Sequence, residues 1–352
     1  MTNALRTGLF AGVVALALAG GACATDPEAA KQAYVKSGDA YLAEKKYGEA
    51  IIQYRNAVQK DPKFADARLK LADAYIQAGD IPNAYREYLR AADLLPDRMD
   101  VQMKAGSFLL LFGRFEDAKT RAQQMLAKNA QNVDAQILLG NALAGLKDFD
   151  GAVTEMEEAI RIDPADGRAY ANLGALQVAR GNRADAEAAL KRATELSPNS
   201  AAALLALGNF YWSIEDRDNA EAYIRKALAA EPQNLLANRA MALYLLASNR
   251  AADAEVYLKA AADVSKSPDS RLALADYYVL TQRPAQATEI FTQLSGDKAV
   301  GTTAKLKLSA LEYDSQDTTA AHKDIDQVLA ADPANAQALL LKARFLMAEQ
   351  KV

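Results

Sequence analysis

VDAQILLGNALAGLKDFDGAVTEMEEAIRIDPAD, residues 133–166, contains two apolar patterns at helical spacing with a polar turn between them. The first stripe comprises Ile137, Leu139, Leu143 and Leu146, and the second comprises Ala152, Met156, Ala159 and Ile160. Pro164 closes the second pattern, because proline cannot continue a helix. Gly140 and Ala152 are small where two helices must pack closely. Neither predicted helix can bury its stripe alone, so the hairpin requires neighbouring helices.

The same hairpin recurs along the chain with a fixed period. From Pro62 to Pro96 the step is 34 residues, and from Pro96 to Pro164 it is twice that, with Ala130 at the missing position. Further closing prolines stand at Pro198, Pro232 and Pro333. A small residue recurs in phase in the first helix at Gly38, Ala72, Gly106, Gly140, Gly174 and Gly208, and in the second at Ala50, Ala84, Ala118, Ala152, Ala186 and Ala220.

This period and pattern resemble the tetratricopeptide repeat (TPR), a helix-turn-helix unit of 34 residues. The resemblance covers nearly everything after residue 30. It implies an all-α fold, a right-handed superhelix (α-solenoid) of stacked hairpins in which each repeat contacts only its neighbours. We expect a tandem array over residues 31–335, with repeats starting at 31, 65, 99, 133, 167, 201, 235, 268 and 302.

Two parts of the array depart from the regular pattern. The repeat that starts at Pro268 ends at 295–297 without a closing proline, so we expect a local bend or looser packing over 294–301. Residues 336–352 have the pattern of one more first helix without its partner helix. This partial repeat is interpreted either as the cap of the array or as a sign that the chain is truncated after Val352.

Residues 1–22 have the pattern of a signal peptide. Arg6 supplies the positive charge, and the apolar run 9–19 is shorter than the roughly 20 residues of a transmembrane helix. The small residues 20–22 precede Cys23, which resembles the lipidation site of a bacterial lipoprotein, although leucine is usual where Gly20 stands. Secretory cleavage after Ala24 and an uncleaved anchor are the alternatives. We expect residues 23–30 to form a short tether.

The start of the array is similar to a narrower group of proteins. Residues 41–62, YLAEKKYGEAIIQYRNAVQKDP, following a lipidation-like signal, resemble the TPR lipoproteins of exopolysaccharide and PEP-CTERM export and those of pilus assembly. This resemblance implies the periplasmic face of a bacterial envelope membrane, the outer membrane above all, with a secreted or periplasmic protein as the alternative. It also implies a membrane contact through the lipid on Cys23.

Composition and motifs exclude several classes of function. The net charge of -4 gives no electrostatic footprint for a nucleic acid, and one Cys and one His leave little material for a metal site. The spacing of Gly140 and Gly145 approaches that of a phosphate loop, but the Gly-Lys-Ser/Thr ending is absent. We therefore predict no enzymatic activity, no catalytic residue, no metal, no cofactor and no small-molecule substrate.

The candidate binding residues lie on the first helix of each repeat, which lines the concave groove in TPR proteins. By the register of the resemblance, a central row of the groove comprises Asp39, Asp73, Ser107, Asn141, Ala175, Asn209, Leu243 and Asp276. In resembling proteins Asn at this position holds the backbone of a peptide, which suits an amide because it both donates and accepts. The Asp residues would favour N–H groups or basic side chains of the partner. Solvated groove surface is the alternative interpretation.

Two further rows flank the central row. One turn earlier stand apolar residues almost throughout, with Arg239 as the exception, and this pattern argues against the basic clamp of TPR chaperone adaptors. These residues either receive an apolar or amphipathic guest or complete the packing between repeats. One turn later stands Trp212, the only tryptophan, as a groove anchor or as a residue packed on the next repeat near Arg239. The adjacent Phe210 and Tyr211 are predicted to point into the helix interface.

Together these features predict a scaffold that binds protein or peptide partners in its groove for export or assembly of a surface polysaccharide or pilus. A regulatory adaptor that holds a catalytic partner at the membrane is the first alternative. The TPR part of a longer, truncated protein is the second.

Overall fold

The computed structural model describes residues 27–350, which form 19 α-helices and, within that range, no β-strand. The predicted all-α fold class is therefore confirmed. The helices are α1 (Pro27–Ala43), α2 (Tyr47–Lys60), α3 (Ala65–Gln77), α4 (Ile81–Leu94), α5 (Met99–Leu111), α6 (Phe115–Lys128), α7 (Val133–Gly145), α8 (Phe149–Ile162), α9 (Gly167–Ala179), α10 (Arg183–Leu196), α11 (Ala201–Ser213), α12 (Arg217–Ala230), α13 (Leu235–Ala247), α14 (Ala251–Ser265), α15 (Pro268–Leu280), α16 (Pro284–Leu294), α17 (Gly301–Asp314), α18 (Thr318–Ala331) and α19 (Ala336–Ala348).

The described residues separate into two compact units that divide after Ala130, the N-terminal unit up to that residue and the C-terminal unit from Gln131 onward. Within each unit an odd-numbered helix packs against the even-numbered helix that follows it, and each hairpin then packs on the next. The N-terminal unit contains α1–α6, and the described part of the C-terminal unit contains α7–α19. Each unit is thus a stack of helical hairpins, as in a solenoid.

The turn between the two helices has the same backbone conformation in each hairpin. A residue with positive φ stands at the same place in every hairpin turn, at Lys45, Gly79, Gly113, Lys147, Gly181, Glu215, Asn249, Gln282 and Gln316. Gln350 has the same conformation after α19. Glycine adopts this left-handed conformation at no steric cost, and other residues adopt it at some cost. The register of the repeats is therefore visible in the backbone as well as in the sequence.

The small in-phase residues explain how closely the two helices of a hairpin approach. The six alanines predicted to be small in the second helices are all fully buried: Ala50, Ala84, Ala118, Ala152, Ala186 and Ala220. Opposite them, a Cβ atom placed on Gly174 would lie 2.5 Å from Cγ of Leu190, and one on Gly208 would lie 3.2 Å from the backbone nitrogen of Ile224. A longer side chain at these glycines would force the helices apart.

The first helix begins earlier than the sequence analysis predicted. Helix α1 starts at Pro27, so residues 27–30 of the expected tether are helical. Proline is favoured at the first position of a helix, and Glu28 lies in the first turn, where the helix dipole stabilises a negative charge. Lys31 then pairs with Glu28 at 2.6 Å and with Asp61, the residue after α2, at 2.7 Å, which ties the extra turn to the first hairpin.

The expected looser packing over 294–301 is not found. Leu294 and Val300 are both buried, and Asp297 accepts hydrogen bonds from the backbone nitrogens of Ala299 and Val300 at 2.7 and 3.1 Å. A Cβ atom on Gly301 would lie 2.8 Å from the carbonyl oxygen of Ser295. A compact turn held by Asp297 therefore stands where the closing proline is absent.

Helix α19 packs on the preceding hairpin. The ring of Phe345 stacks on Tyr313 with 3.8 Å between the centroids, and Nε2 of His322 lies 2.9 Å from Oε1 of Glu349. Lys342 pairs with Asp326 at 2.7 Å. His322 thus has a packing role at the end of the described chain.

Candidate groove surfaces and family

The side chains of the predicted central row make different contacts in the two units. In the N-terminal unit, Oδ1 of Asp39 accepts a hydrogen bond from the hydroxyl of Tyr54 at 2.7 Å and from Nζ of Lys70 at 2.6 Å. Tyr54 lies on the second helix of the same hairpin, whereas Lys70 lies on the first helix of the next one. The carboxylate therefore joins three helices of the stack.

Asp73 repeats this arrangement one hairpin later. It accepts a hydrogen bond from the hydroxyl of Tyr88, and Nζ of Lys104 on α5 lies 3.6 Å away. We call the two pairs Asp39–Lys70 and Asp73–Lys104 the lysine–aspartate ladder. The burial of Tyr54 and Tyr88 raises the pKa of each phenol, and the hydrogen bond to the neighbouring aspartate raises it further. Both phenols therefore remain hydrogen-bond donors at neutral pH.

A single pair of the same type occurs in the C-terminal unit. Nζ of Lys307 on α17 lies 2.8 Å from Oδ1 of Asp276 on α15, while Phe291 takes the place of the tyrosine. The sequence analysis assigned Asp39, Asp73 and Asp276 to a partner's N–H groups or basic side chains. The structure instead gives each of them a lysine of the next hairpin as its partner.

A cleft of about 370 Å³ lies beside the ladder, between α3 and α5. Phe108 stacks on Tyr88 with 5.3 Å between the ring centroids, and Leu111 is largely exposed at the rim. The cleft is lined by Asp73, Ile76, Tyr88, Met103, Lys104, Ser107, Phe108 and Leu111. Sequence reasoning did not single out this cleft, although Asp73 and Ser107 belong to the predicted central row. Only the stacking of α5 on α3 brings them together.

The asparagines of the central row lie in the C-terminal unit. Asn209 on α11 is exposed and Asn141 on α7 is half-buried, and neither side chain has a hydrogen-bond partner among residues 27–350. Both amides are available to donate to and accept from the backbone of a partner. The role that the family resemblance implies for these two residues stays a prediction.

Trp212 is half-buried at the end of α11. Its ring meets Tyr244 of α13 edge to face, with 5.9 Å between the centroids, and packs against the core of the C-terminal unit. Phe210 and Tyr211 are buried, as predicted. Part of the Trp212 surface therefore supports the next hairpin, which agrees with the packing alternative and leaves only the remaining surface for a partner.

The row one turn earlier is mainly a packing surface. Val35, Ile137 and Leu205 are buried, and Leu69 packs against the core of the N-terminal unit. Arg239 is the exception in the structure as in the sequence, because it is half-buried and points to a polar partner, as described below. The row therefore completes the contacts between hairpins at most positions.

The described residues hold no site for a metal ion. No group of three or more His, Cys, Asp or Glu side chains within 27–350 is placed to coordinate one. No helix of that range is both long and apolar enough to cross a membrane. Cys23 and the predicted signal peptide lie outside the described residues.

Sequence comparison identifies the family. Three models of the tetratricopeptide repeat match residues 38–79, residues 109–176, and residues 172–234 together with 306–352, which in sum is more than half of the chain. The fold of stacked 34-residue hairpins and these matches define an α-solenoid. The chain belongs to the tetratricopeptide-repeat proteins. No curated protein sequence matches it significantly.

Solved structures share the fold at low sequence identity. The Cut9–Hcn1 hetero-tetramer of APC/C is 13% identical with a TM-score of 0.50, covering 90% of this chain and 76% of that one. The human IFIT1 dimer with m7Gppp-AAAA is 15% identical with a TM-score of 0.50, covering 91% and 82%. Pseudomonas aeruginosa pilF is 22% identical with a TM-score of 0.42, covering 59% and 95%. Because tetratricopeptide repeats bind protein or peptide partners, the chain is a protein–protein interaction scaffold.

Proposed function

We propose that this protein holds partner proteins on the first-helix surface of its C-terminal unit, at a bacterial cell envelope, for export or assembly of a surface polysaccharide or pilus. The proposed binding surface is supported by side chains on it that are exposed to solvent or lack a hydrogen-bond partner. Asn209 is exposed without a partner, and Leu243 is 57% exposed at the central row position of α13. An exposed large apolar side chain and an unpaired amide in the same predicted row are typical of a surface that a partner covers.

The N-terminal unit is part of the same proposed scaffold, but its central-row carboxylates already have partners within the unit. Its central carboxylates are paired within the ladder, and the apolar cleft of about 370 Å³ is the part that remains open to a partner side chain. No catalytic residue, cofactor or small-molecule substrate enters this proposal. IFIT1 is described with a capped RNA, but the net charge of -4 gives no reason to extend a nucleic-acid ligand to this chain.

Crosslinking from position 243 tests the binding surface. We expect a photo-reactive amino acid at Leu243 to capture a defined partner in cells, because this side chain is exposed in the proposed surface. Val256 on the second helix α14 is the matched control, since it is 63% exposed and equally apolar. Capture from 256 with none from 243 would move the binding surface to the second helices. Trp212 is a poorer probe, because replacing its ring also disturbs Tyr244.

The envelope location rests on residues 1–23, with Cys23 at the end of the apolar run as the lipidation site. We expect Cys23→Ser to abolish metabolic labelling by a radioactive or clickable fatty acid in a bacterial host. Since Cys23 is the only cysteine, no other thiol can accept the acyl chain. Labelling that persists in the variant would contradict the proposal, and an unlabelled but exported wild-type protein would favour simple secretory cleavage.

A further inference from the structure

Helix α13 presents an unusual combination of side chains on one face. Leu236 and Leu243 are 64% and 57% exposed, and Arg239 lies between them, three residues after the first and four before the second. Residues at these spacings share one face of a helix. We call Leu236, Arg239 and Leu243 the Arg239 face.

Arg239 is oriented by the next hairpin. Its Nη2 donates a hydrogen bond to Oγ of Ser270 at 2.7 Å. Ser270 is only 3% exposed and is itself hydrogen-bonded to Ser265 and Ser267 at 2.7 and 3.1 Å, so its position is fixed. The guanidinium has five N–H donors, and this contact uses one of them. Arg239 is therefore held in place with most of its donors still free.

No carboxylate of residues 27–350 lies within 4.0 Å of Arg239. Two other half-buried arginines of the same unit do have a counter-ion: Arg250 pairs with Glu221 at 2.8 Å and Arg283 pairs with Glu255 at 2.9 Å. An arginine that is half-buried and oriented but lacks a counter-ion is costly to desolvate unless a negative charge is brought to it.

The neighbouring rows supply no such charge. From α7 to α13 the central row and the row one turn later are uncharged, comprising Asn141, Ala144, Ala175, Val178, Asn209, Trp212, Leu243 and Leu246. The N-terminal unit contrasts with this, because there the lysines and aspartates pair with one another. On α15 the central-row Asp276 is already paired with Lys307. A partner that brings a carboxylate would therefore supply the counter-ion that these rows do not.

We propose that the Arg239 face binds an amphipathic helix of a partner protein through one internal acidic residue with apolar residues on both sides of it. The carboxylate accepts two N–H bonds from Arg239, and the flanking apolar side chains cover Leu236 and Leu243. An internal residue is required because exposed leucines lie on both sides of Arg239 along the axis of α13. A C-terminal carboxylate would leave one of them in water. This inference rests on the proposed function, in which the first-helix surface is where partners bind.

Two defined peptides test the inference on the full-length protein. The first is an acetylated and amidated amphipathic helix with a central Glu and Leu residues three and four positions away on each side, and the second has Gln in place of that Glu. Binding is measured by fluorescence anisotropy of a labelled peptide. We expect the Glu peptide to bind on the order of tenfold more tightly, as a charge-assisted hydrogen bond would give.

Variants of the protein assign that difference to Arg239. In Arg239→Gln the two peptides should bind equally, and in Arg239→Lys the ratio should fall to an intermediate value because lysine cannot form the bidentate pair. Lys226→Gln is the control, since Lys226 is an exposed cation of α12 that lies over the ring of Tyr223, 4.4 Å from its centroid. It should retain the full ratio. Circular dichroism confirms that each variant is folded.

Three outcomes would overturn the inference. They are an undiminished preference for the Glu peptide in Arg239→Gln, equal binding of the two peptides by the wild type, and stronger binding of a peptide whose only carboxylate is C-terminal. If neither peptide binds but crosslinking from Leu243 captures a partner, the inferred amphipathic-helix ligand is wrong while the proposed function stands. If crosslinking also fails, both are wrong.

Discussion

Gly38→Ala should destabilise the first hairpin by about 2–3 kcal/mol, within the range expected for overpacking a close helix contact. The new Cβ atom would lie 2.5 Å from Cε1 and 2.7 Å from Cδ1 of the Tyr54 ring. That ring is completely buried, and its hydroxyl is bonded to Asp39, so it cannot swing away without breaking the hydrogen bond that joins the two helices. Faster hydrogen exchange of the α1 and α2 amides is the measurement, because a repeat array loses stability locally.

Two other glycines calibrate this effect. A Cβ atom placed on Gly48 would meet nothing within 4 Å, so Gly48→Ala in the first turn of α2 should stabilise by about 0.5–1 kcal/mol through helix propensity. Gly140→Ala should be intermediate, because the nearest atom, at 2.7 Å, is the flexible Cε of Met156. Equal exchange rates in Gly38→Ala and Gly48→Ala would show that the packing of Tyr54 on α1 is not as close as described.

Glu87→Ala should destabilise the N-terminal unit by about 3–5 kcal/mol, the usual cost of leaving one member of a buried ion pair alone. Nη1 of Arg68 donates to Oε2 of Glu87, and both residues are buried. The remaining contacts of Arg68 go to the carbonyl oxygen of Pro62, with Nε at 2.9 Å and Nη2 at 2.7 Å. Neither contact compensates the charge once the carboxylate is removed. Urea unfolding followed by far-ultraviolet circular dichroism measures the loss.

The double variant Arg68→Leu with Glu87→Leu should recover most of this loss, because it removes both charges together. Glu116→Ala is the control, since Glu116 is exposed and pairs with Lys119 only at 3.8 Å, and its variant should unfold like the wild type. Arg68 and Glu87 also line a cleft of about 560 Å³. If Glu87→Ala matches the control, Arg68 has turned into that cleft and kept its hydration.

The candidate binding surfaces were predictable only in part. The register of the rows follows from the period, so the positions of Asn141, Asn209 and Arg239 on first helices were available from the sequence. Their partners were not. Lys70 stands 31 residues after Asp39 and Lys104 stands 31 after Asp73, a regularity that can be read in the sequence. It acquires meaning only when the next hairpin is stacked so that the lysine reaches back to the aspartate.

The lack of a counter-ion for Arg239, unlike the spacing of Asp39 and Lys70, could not be read in the sequence. Glu231 precedes Arg239 in the sequence and Asp269 adjoins Ser270, but Arg239 donates to Ser270 instead of to either carboxylate. An ion pair depends on distances of a few ångströms between helices, and sequence spacing does not specify such distances across separate helices. The Arg239 face was therefore not foreseen as a site for an acidic partner.

The sequence by itself determined the repeating hairpin, because small residues, apolar stripes and closing prolines act within one hairpin over short chain separations. The tertiary structure decided what happens between hairpins. Two junctions lack the closing proline, at Ala130 and at 295–297. The first is where the two compact units divide, and the second lies inside one unit, where Leu294 and Val300 are buried. The local pattern does not separate these cases, since the fit of one hairpin on the next depends on side chains from helices far apart in the chain.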